Sequence, residues 1–230
     1  MTVRDTLCAV GIGVLALALY VATLQPDFGG PEDTPKFQFL GHVLGTAHPP
    51  GYPLYVMLSH LFTLIPIGTI AYRANLFSAV MAAVACALTY LLTRQIGAGR
   101  LAAGWAAAGL ATGITFWRSA VFAEVYSLAA VLVTLTLVWL LAWGRTGRSA
   151  HLLAAAATFA AALGNHLTIV GVAPAAALYV LVRNPPSPDA ELDAALRSAS
   201  RRTPRCCGYP AGRSSWDPTS TIPKKRLRIT

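Results

Sequence analysis

Long apolar runs separated by short polar connections make up most of the first 183 residues of this chain. A helix needs about 20 predominantly apolar residues to cross the hydrocarbon core of a bilayer. Six runs reach or approach this length, and they are rich in small residues, which allow close helix packing in membranes. The pattern predicts an all-α, polytopic membrane protein with about six transmembrane helices, at residues 7–24, 72–93, 101–116, 125–143, 152–163 and 168–182.

A further apolar segment, residues 54–67, is short and is flanked by prolines. If it does not cross the membrane, six arginines of the connections lie on one side, as the positive-inside rule expects of the cytoplasmic face. If it crosses, this bias reverses. We therefore predict an interfacial or re-entrant helix here, and both chain termini in the cytoplasm. The six arginines are Arg4, Arg94, Arg100, Arg145, Arg148 and Arg183.

The composition supports a membrane protein. Hydrophobic residues make up 55% of the 230 residues and charged residues 12%, whereas soluble domains carry about 25% charged residues. These values argue against a disordered chain, a disulfide scaffold and an ordinary soluble enzyme. The first apolar run is long for a signal peptide and lacks a clear cleavage site, so we interpret it as an uncleaved span.

The net charge of +9 is densest in residues 184–230, a basic segment rich in Pro, Ser and Arg. Nucleic-acid binding is one interpretation of such a segment. Positive charge beside a membrane, however, commonly marks the cytoplasmic side. We therefore predict a disordered cytoplasmic tail after a transmembrane domain at residues 1–183, and no nucleic-acid partner.

The polar side chains of the transmembrane domain converge on the non-cytoplasmic face in this topology. Between Thr6 and Arg183 the chain has four acidic residues, and all four fall on this side. The cytoplasmic connections are short and offer only arginines, so any chemistry is expected at the outer face. The four acids are Asp27, Glu32, Asp33 and Glu124.

Several outer residues have both a chemical and a structural interpretation. The carboxylates of Glu32 and Asp33, in the predicted loop of residues 25–53, could supply a general base or a metal ligand, or could simply be solvated. The stiff run of residues 48–53 turns the chain toward segment 54–67. It could also present His48 and Tyr52 to a ligand.

Arg118 and Glu124 interrupt an apolar stretch near membrane depth, where ionisable groups are costly and often functional. Arg118 could hold a phosphate by a two-point contact, or the two residues could form a structural ion pair. His166, beside Asn165 at a break between two spans, could bind a ligand or be a satisfied core residue. The sequence has no glycine-rich phosphate loop and no metal-binding motif, and we predict no metal ligands.

Four motifs along residues 7–183 resemble those of the DUF2723 family, which includes the TMEM260-like protein O-mannosyltransferases. They are HPPGYPLY at 48–55, RANLFS at 73–78, FW at 116–117 with AEVYSL at 123–128, and LGNH at 163–166. The resemblance implies a GT-C-type fold, with the site on the lumenal or periplasmic face. For this chain we predict a plasma or inner membrane protein whose site faces the periplasm or exterior. The donor would be a lipid-phosphate sugar such as polyprenyl-phosphate mannose, and no cofactor is firmly implied.

The implied partners are membrane lipid, the lipid-linked sugar and a protein or glycan acceptor with a free hydroxyl. The implied chemistry is inverting sugar transfer, with Asp33 as general base and Arg118 stabilising the leaving phosphate together with His48 or His166. The candidate catalytic residues are Asp33, His48 and Glu124, and the candidate substrate-binding residues are Tyr52, Arg118, Tyr126, Asn165 and His166.

Two features depart from the family pattern. The first loop of the family commonly reads Asp-x-Gly-Glu-Phe, whereas residues 33–37 read Asp-Thr-Pro-Lys-Phe, so Lys36 stands in place of a glutamate. The pattern also stops near Arg183, although family members are longer. The alternative function is therefore a non-catalytic membrane protein that binds a lipid carrier or a partner. A transporter fits less well, because the polar groups cluster at one face.

Overall fold

The structure, a computed structural model, describes residues 2–183. Within this range the chain forms nine α-helices, one 3₁₀ segment (Leu167–Val172) and no strand, which confirms the predicted all-α class. The predicted tail at residues 184–230 lies outside the described residues. The α-helices are α1 (Val3–Ala22), α2 (Thr34–Val43), α3 (Pro53–Thr63), α4 (Ile70–Gln95), α5 (Arg100–Thr112), α6 (Ile114–Val121), α7 (Val125–Thr146), α8 (Ser149–Leu163) and α9 (Ala173–Val182).

Three helices of the described part of the chain, α1, α4 and α7, are long and apolar enough to cross a membrane. They contain 20, 26 and 22 residues. At about 1.5 Å per residue, each extends roughly 30 Å or more, which is the thickness of a hydrocarbon core. Three of the predicted spans therefore correspond to such helices, and the chain is an integral membrane protein.

The other predicted spans are shorter or interrupted. The span predicted at 101–116 is divided between α5 and α6 at Gly113, where the backbone is extended (ψ 123°). The span at 152–163 is the shorter apolar helix α8, and the span at 168–182 starts as the 3₁₀ segment before α9. Segment 54–67 overlaps α3, whose 11 residues extend only about 16 Å.

Helix α2 is missing from the sequence prediction, which placed a loop at residues 25–53. The helix is ten residues long and has Pro35 in its first turn, where the missing N–H of a proline costs no helical hydrogen bond. Phe37 and Leu40 are buried in a cluster with residues of α3 and α4. Tertiary burial of two apolar residues thus stabilises a helix that is too short to stand out as an apolar run.

One end of the bundle, which we call the arginine end, gathers basic side chains from three helix termini. Asp5, buried at the start of α1, forms ion pairs with Arg94 at the end of α4 (3.1 Å) and Arg100 at the start of α5 (3.0 Å). Near the end of α7, the carbonyl of Gly144 accepts a hydrogen bond from Arg183, which follows α9 (3.0 Å).

The opposite end, which we call the loop end, joins the end of α1 to the starts of α4 and α7. Asn75, near the start of α4, donates to the carbonyl of Gln25 and accepts from the N–H of Ala123, both at 2.9 Å. Asn165, after α8, donates to the carbonyl of Val125 at the start of α7 (3.1 Å). Helices α4 and α7 therefore run in one direction, and α1 and α8 run in the other.

Alanines allow α1, α4 and α5 to pack closely beneath the loop end. Ala16 and Ala82 belong to one buried cluster, and Ala9 and Ala107 belong to another. Small side chains of this kind let the backbones of neighbouring membrane helices approach each other. Tyr20, fully buried among them, donates its hydroxyl to the carbonyl of Ala111 (3.0 Å). The result is a tightly packed base under the connections that carry the candidate site.

Candidate functional site

All eight predicted site residues lie at the loop end, at five separate places along the chain. Each place is a helix end or a connection that the fold brings next to the others. The residues are Asp33 at the start of α2, His48 and Tyr52 before α3, Arg118 in α6, Glu124 and Tyr126 at the start of α7, and Asn165 and His166 between α8 and the 3₁₀ segment.

Asp33, Lys36, His48 and Tyr52 form a hydrogen-bonded cluster on the outer surface. The ammonium of Lys36 lies 2.7 Å from Asp33 Oδ1 and 3.0 Å from His48 Nδ1. On the other side of the imidazole, His48 Nε2 lies 3.1 Å from the Tyr52 hydroxyl and 3.8 Å from Asp33 Oδ2. The hydrogen bond from Lys36 is the main reason why the pKa of Asp33 lies below its usual value.

The contact with Lys36 also assigns the tautomer of His48. An ammonium group has three donors and no acceptor, so His48 Nδ1 must accept. Neutral His48 then carries its proton on Nε2, which can donate to the oxygen of Tyr52. In the sequence Lys36 stands out as a departure from the family pattern, and in the structure it organises this cluster.

A row of aromatic rings links this cluster to the start of α7. Tyr52 packs against His166, and His166 packs against Tyr126, with ring centroids 5.6 Å apart in both pairs. His48 packs edge-on against Tyr52 at 5.3 Å. Residues that are far apart in the sequence are thus brought into one continuous surface.

Glu124 is half-buried directly before α7. Its carboxylate accepts a hydrogen bond from the Thr34 hydroxyl (2.8 Å), and its backbone N–H donates to the Ser78 hydroxyl (3.1 Å). Burial raises the pKa of Glu124, and the nearby carboxylates of Glu32 and Asp33 add to the increase. Glu124 is therefore a carboxyl group that takes up a proton more readily than a solvated glutamate does.

Arg118 and Glu124 line a cavity of about 500 Å³ at this end of the bundle. Its wall is otherwise formed by Pro31, Glu32, Thr115, Phe116, Ser119, Phe122 and Tyr126. Among the described residues, the ion pair of Arg118 is with Glu32 (3.5 Å), and not with Glu124 as one interpretation of the sequence held. The cavity thus combines a guanidinium, two carboxylates and aromatic walls.

Asn165 lies beneath this surface. It is fully buried, and its amide donates to the carbonyl of Val125 (3.1 Å). Through this contact Asn165 connects the end of α8 to the start of α7. Its predicted role in substrate binding stays a prediction, and its observed contact positions Val125, which lies between Glu124 and Tyr126.

Sequence reasoning gave no role to the residues that hold the site together. Gln38 in α2 bonds both backbone groups of Gly29 (2.9 and 3.0 Å) and also donates to Asn75 (3.1 Å). Asn75 and Ser78 of α4 bind the connection between α6 and α7. Both lie in the RANLFS motif, in which polar residues interrupt an apolar run, and that interruption was the available signal.

Groups of three or more His, Cys, Asp or Glu side chains placed to hold a metal ion are absent from residues 2–183. The carboxylates are distributed instead among basic and hydroxyl partners: Asp33 with Lys36, Glu32 with Arg118, and Glu124 with Thr34. The arrangement can bind an anion through Arg118 and can accept a proton at a neighbouring carboxylate.

His166 should make the stability of the protein depend on pH. Burial lowers its pKa, and its Nδ1 accepts from the hydroxyl and N–H of Thr168 (2.7 and 3.3 Å). Between this lowered value and the ordinary value of about 6.5, the unfolded chain binds more protons than the folded protein. Stability therefore decreases as the pH falls through that range.

We expect His166→Gln to lose less thermal stability than wild type when the pH is lowered from about 7.5 to 5.5. The measurement is the unfolding temperature of the purified protein in detergent. The control is His42→Gln, at an exposed position in α2, which should keep the wild-type pH dependence. An identical pH dependence in wild type and His166→Gln would contradict this prediction.

The fold and the site define the class of this protein: an all-helical integral membrane protein with acid, imidazole and guanidinium groups gathered at one end. The sequence profile of the protein O-mannosyl-transferase TMEM260 N-terminal domain matches residues 33–188. The chain belongs to this family. The matched region begins at Asp33 and contains all the predicted site residues, and the resemblance identified from the motifs is confirmed.

Two curated relatives are similar over shorter stretches. The protein O-mannosyl-transferase TMEM260 of Mus musculus is 36% identical over 122 residues, which are 52% of this chain and 17% of the relative. The protein O-mannosyl-transferase tmem260 of Dictyostelium discoideum is 31% identical over 87 residues, 36% of this chain and 10% of the relative. The chain thus spans less than a fifth of either relative. No solved structure matches the chain significantly.

Proposed function

We propose that this chain is a membrane glycosyltransferase, or the N-terminal part of one, that moves a sugar from a lipid-phosphate donor to a hydroxyl acceptor. The proposed sugar is mannose, because both relatives are named protein O-mannosyl-transferases. One observation carries the proposal: Arg118 and Glu124 line the same cavity at the loop end of a protein that belongs to an O-mannosyl-transferase family.

Arg118 binds the donor phosphate in this proposal. A guanidinium presents two parallel N–H groups to a phosphate, and a partly dry site strengthens that contact. Phe116 and Phe122 line the same cavity and suit the first part of an apolar lipid chain. Of the two histidines considered for the leaving phosphate, His166 is favoured because its ring contacts Tyr126, which also lines the cavity.

Asp33 acts as the general base on the acceptor side. The acceptor hydroxyl gives its proton to Asp33 while its oxygen forms a bond to the anomeric carbon of the sugar. The bond from that carbon to the phosphate breaks, and its electron pair stays on the phosphate. The hydrogen bond from Lys36 lowers the pKa of Asp33, so the carboxylate is held in the ionised form that accepts a proton but is a weaker base than a free aspartate. Glu124, held by Thr34 beside Asp33, faces the sugar.

The experiment that tests this function is Arg118→Lys in a transfer assay over a range of lipid-phosphate mannose concentrations. An ammonium cannot make the planar two-point contact, so we expect the donor KM to rise about tenfold, the effect of losing one charge-assisted hydrogen bond. Turnover at saturating donor should change less. Arg148→Lys, an exposed position at the arginine end, is the matched control. Unchanged donor KM in Arg118→Lys would remove Arg118 from the donor site.

The proposed topology has six crossings, with both termini in the cytoplasm and the loop end on the periplasmic or exterior side. In support, the chain runs between the two ends six times, through α1, α4, α5 with α6, α7, α8, and the 3₁₀ segment with α9. The ion pairs of Asp5 and the contact of Arg183 place arginines together at the end assigned to the cytoplasm, as the positive-inside rule expects.

Cysteine labelling tests this topology. In a variant without the four native cysteines, we expect Thr46→Cys to react with a membrane-impermeant thiol reagent added outside the cell. Ser149→Cys should react with it only after the membrane is permeabilised. Both positions are exposed, at the loop end and the arginine end respectively. Labelling of both from the same side would rule out the six-crossing arrangement.

A non-catalytic protein that binds a lipid carrier is the second candidate function. The observation in its favour is the 2.7 Å contact between Lys36 and Asp33, which gives the proposed base a permanent cationic partner. The two functions differ in one result. Wild-type protein that binds lipid-phosphate mannose but transfers none of its sugar, while a longer relative transfers it, would favour the carrier-binding function.

A further inference from the structure

The guanidinium of Arg118 already contacts an anion of its own chain. Arg118 Nη2 lies 3.5 Å from Glu32 Oε1, and both side chains are more than half exposed, at 55% and 74%. Both side chains also line the cavity. Arg118 is the one basic residue in the part of the cavity wall that the structure describes. An anionic ligand that enters the cavity therefore finds the guanidinium of Arg118 already paired with the carboxylate of Glu32.

The backbone at Glu32 adopts an unusual conformation. Glu32 has a φ of 53°, in the left-handed region that residues other than glycine seldom adopt. Gly30 also has a positive φ, and a Cβ there would lie 2.8 Å from Thr34 Cγ2 and 3.0 Å from the ring of Phe122. The segment before Glu32 is thus packed tightly against α2 and the connection to α7. Such conformations are concentrated at functional sites.

We propose that Glu32 is a built-in competitor of the ligand phosphate: its carboxylate occupies the guanidinium of Arg118, and the phosphate of a lipid-phosphate ligand displaces it. This inference rests on the proposed function. A solvent-exposed ion pair is weak, so a phosphate that makes two charge-assisted hydrogen bonds replaces it readily. Glu32 thereby sets how tightly an anion must bind, and its return to Arg118 favours release of the lipid phosphate that remains after transfer.

Binding of farnesyl phosphate to the purified full chain, measured by isothermal titration calorimetry at constant detergent concentration, tests this proposal. Glu32→Gln removes the competing charge and keeps the shape, so it should bind about two- to fivefold more tightly than wild type, the range expected of an exposed ion pair. The matched control is Asp27→Asn. Asp27 is an exposed carboxylate that accepts from the N–H of Phe28 in the same connection (2.8 Å), so this variant should bind like wild type.

Two further arms separate direct competition from a general charge effect. In an Arg118→Gln background, Glu32→Gln should bring no gain, because the two residues act through one contact. With farnesol, which lacks the phosphate, Glu32→Gln should bring no gain either. A gain that persists in either arm, or an equal gain in Asp27→Asn, would overturn the proposal.

The outcomes distinguish this inference from the function on which it rests. Unchanged or weaker binding of farnesyl phosphate by Glu32→Gln, with normal binding by wild type, overturns the role of Glu32 and leaves the donor site standing. The weaker case would mean that Glu32 contacts the ligand instead of competing with it. No binding by wild type or by any variant overturns the donor site, and the role of Glu32 with it.

Discussion

Replacing Asp33 with asparagine is expected to lower the rate of sugar transfer by about 10²–10⁴-fold, the usual contribution of a general base. The substitution keeps the size of the side chain and removes the charge that accepts the proton. Asp33 is nearly half exposed and its contacts are with Lys36 and His48, so the fold should survive. The defect should lie in turnover and not in donor affinity, in contrast to Arg118→Lys.

The measurement is transfer from lipid-phosphate mannose by membranes that contain wild type or variant, in this chain and at the aligned position of a longer relative. Gel filtration in detergent verifies the fold. Asp27→Asn, an exposed acid of the same connection, is the matched control and should transfer at the wild-type rate. Turnover near that of wild type in Asp33→Asn would exclude Asp33 as the base.

Replacing Asn75 with alanine is expected to destabilise the folded protein by about 3 kcal/mol, since each buried polar group that loses its partner costs about 1–3 kcal/mol. Asn75 is fully buried. It donates to the carbonyl of Gln25 and accepts from Gln38 and from the N–H of Ala123, at 2.9, 3.1 and 2.9 Å. Its loss removes three hydrogen bonds, although Gln38 keeps its bonds to Gly29, and it loosens the connections that carry Glu32 and Glu124.

Chemical unfolding in detergent measures this effect. Thr89→Val is the control on the same helix, because the bond of the Thr89 hydroxyl within residues 2–183 is local, to the carbonyl of Ala85 one turn earlier (2.8 Å). A substitution of this kind is expected to stay within about 0.5 kcal/mol of wild type. Equal stability of Asn75→Ala and Thr89→Val would contradict the role of Asn75 as the central link of the loop end.

The long helices could be predicted because their formation depends on local composition alone. Runs of about 20 apolar residues have few structures available in a bilayer other than a helix, and α1, α4 and α7 follow from them. Helix α2 and the break at Gly113 could not be predicted in this way. Burial of Phe37 stabilises α2, and the break is a single change of backbone direction within a continuous apolar run.

The candidate site was predictable at the level of which end of the bundle carries it, because topology alone places the four acids together. Its internal contacts were not predictable. Arg118 pairs with Glu32 instead of Glu124, and Glu32 has a left-handed backbone that no sequence pattern indicated. The contact of Thr34 with Glu124 depends on how α2 packs. The sequence shows Lys36 as an unusual residue. Its position between Asp33 and His48 can be seen only in the folded structure.

Photo-crosslinking with a polyprenyl-phosphate mannose that carries a photoreactive group on its first isoprene unit tests the central claim most directly. Peptide mapping after irradiation should find the label on residues of the cavity wall, such as Phe116, Phe122 and Tyr126, and excess unlabelled lipid phosphate should suppress it. Arg118→Gln should lose the label, and Arg148→Gln should keep it. Label at the arginine end, or label that resists competition and survives Arg118→Gln, would contradict a donor site at the loop end.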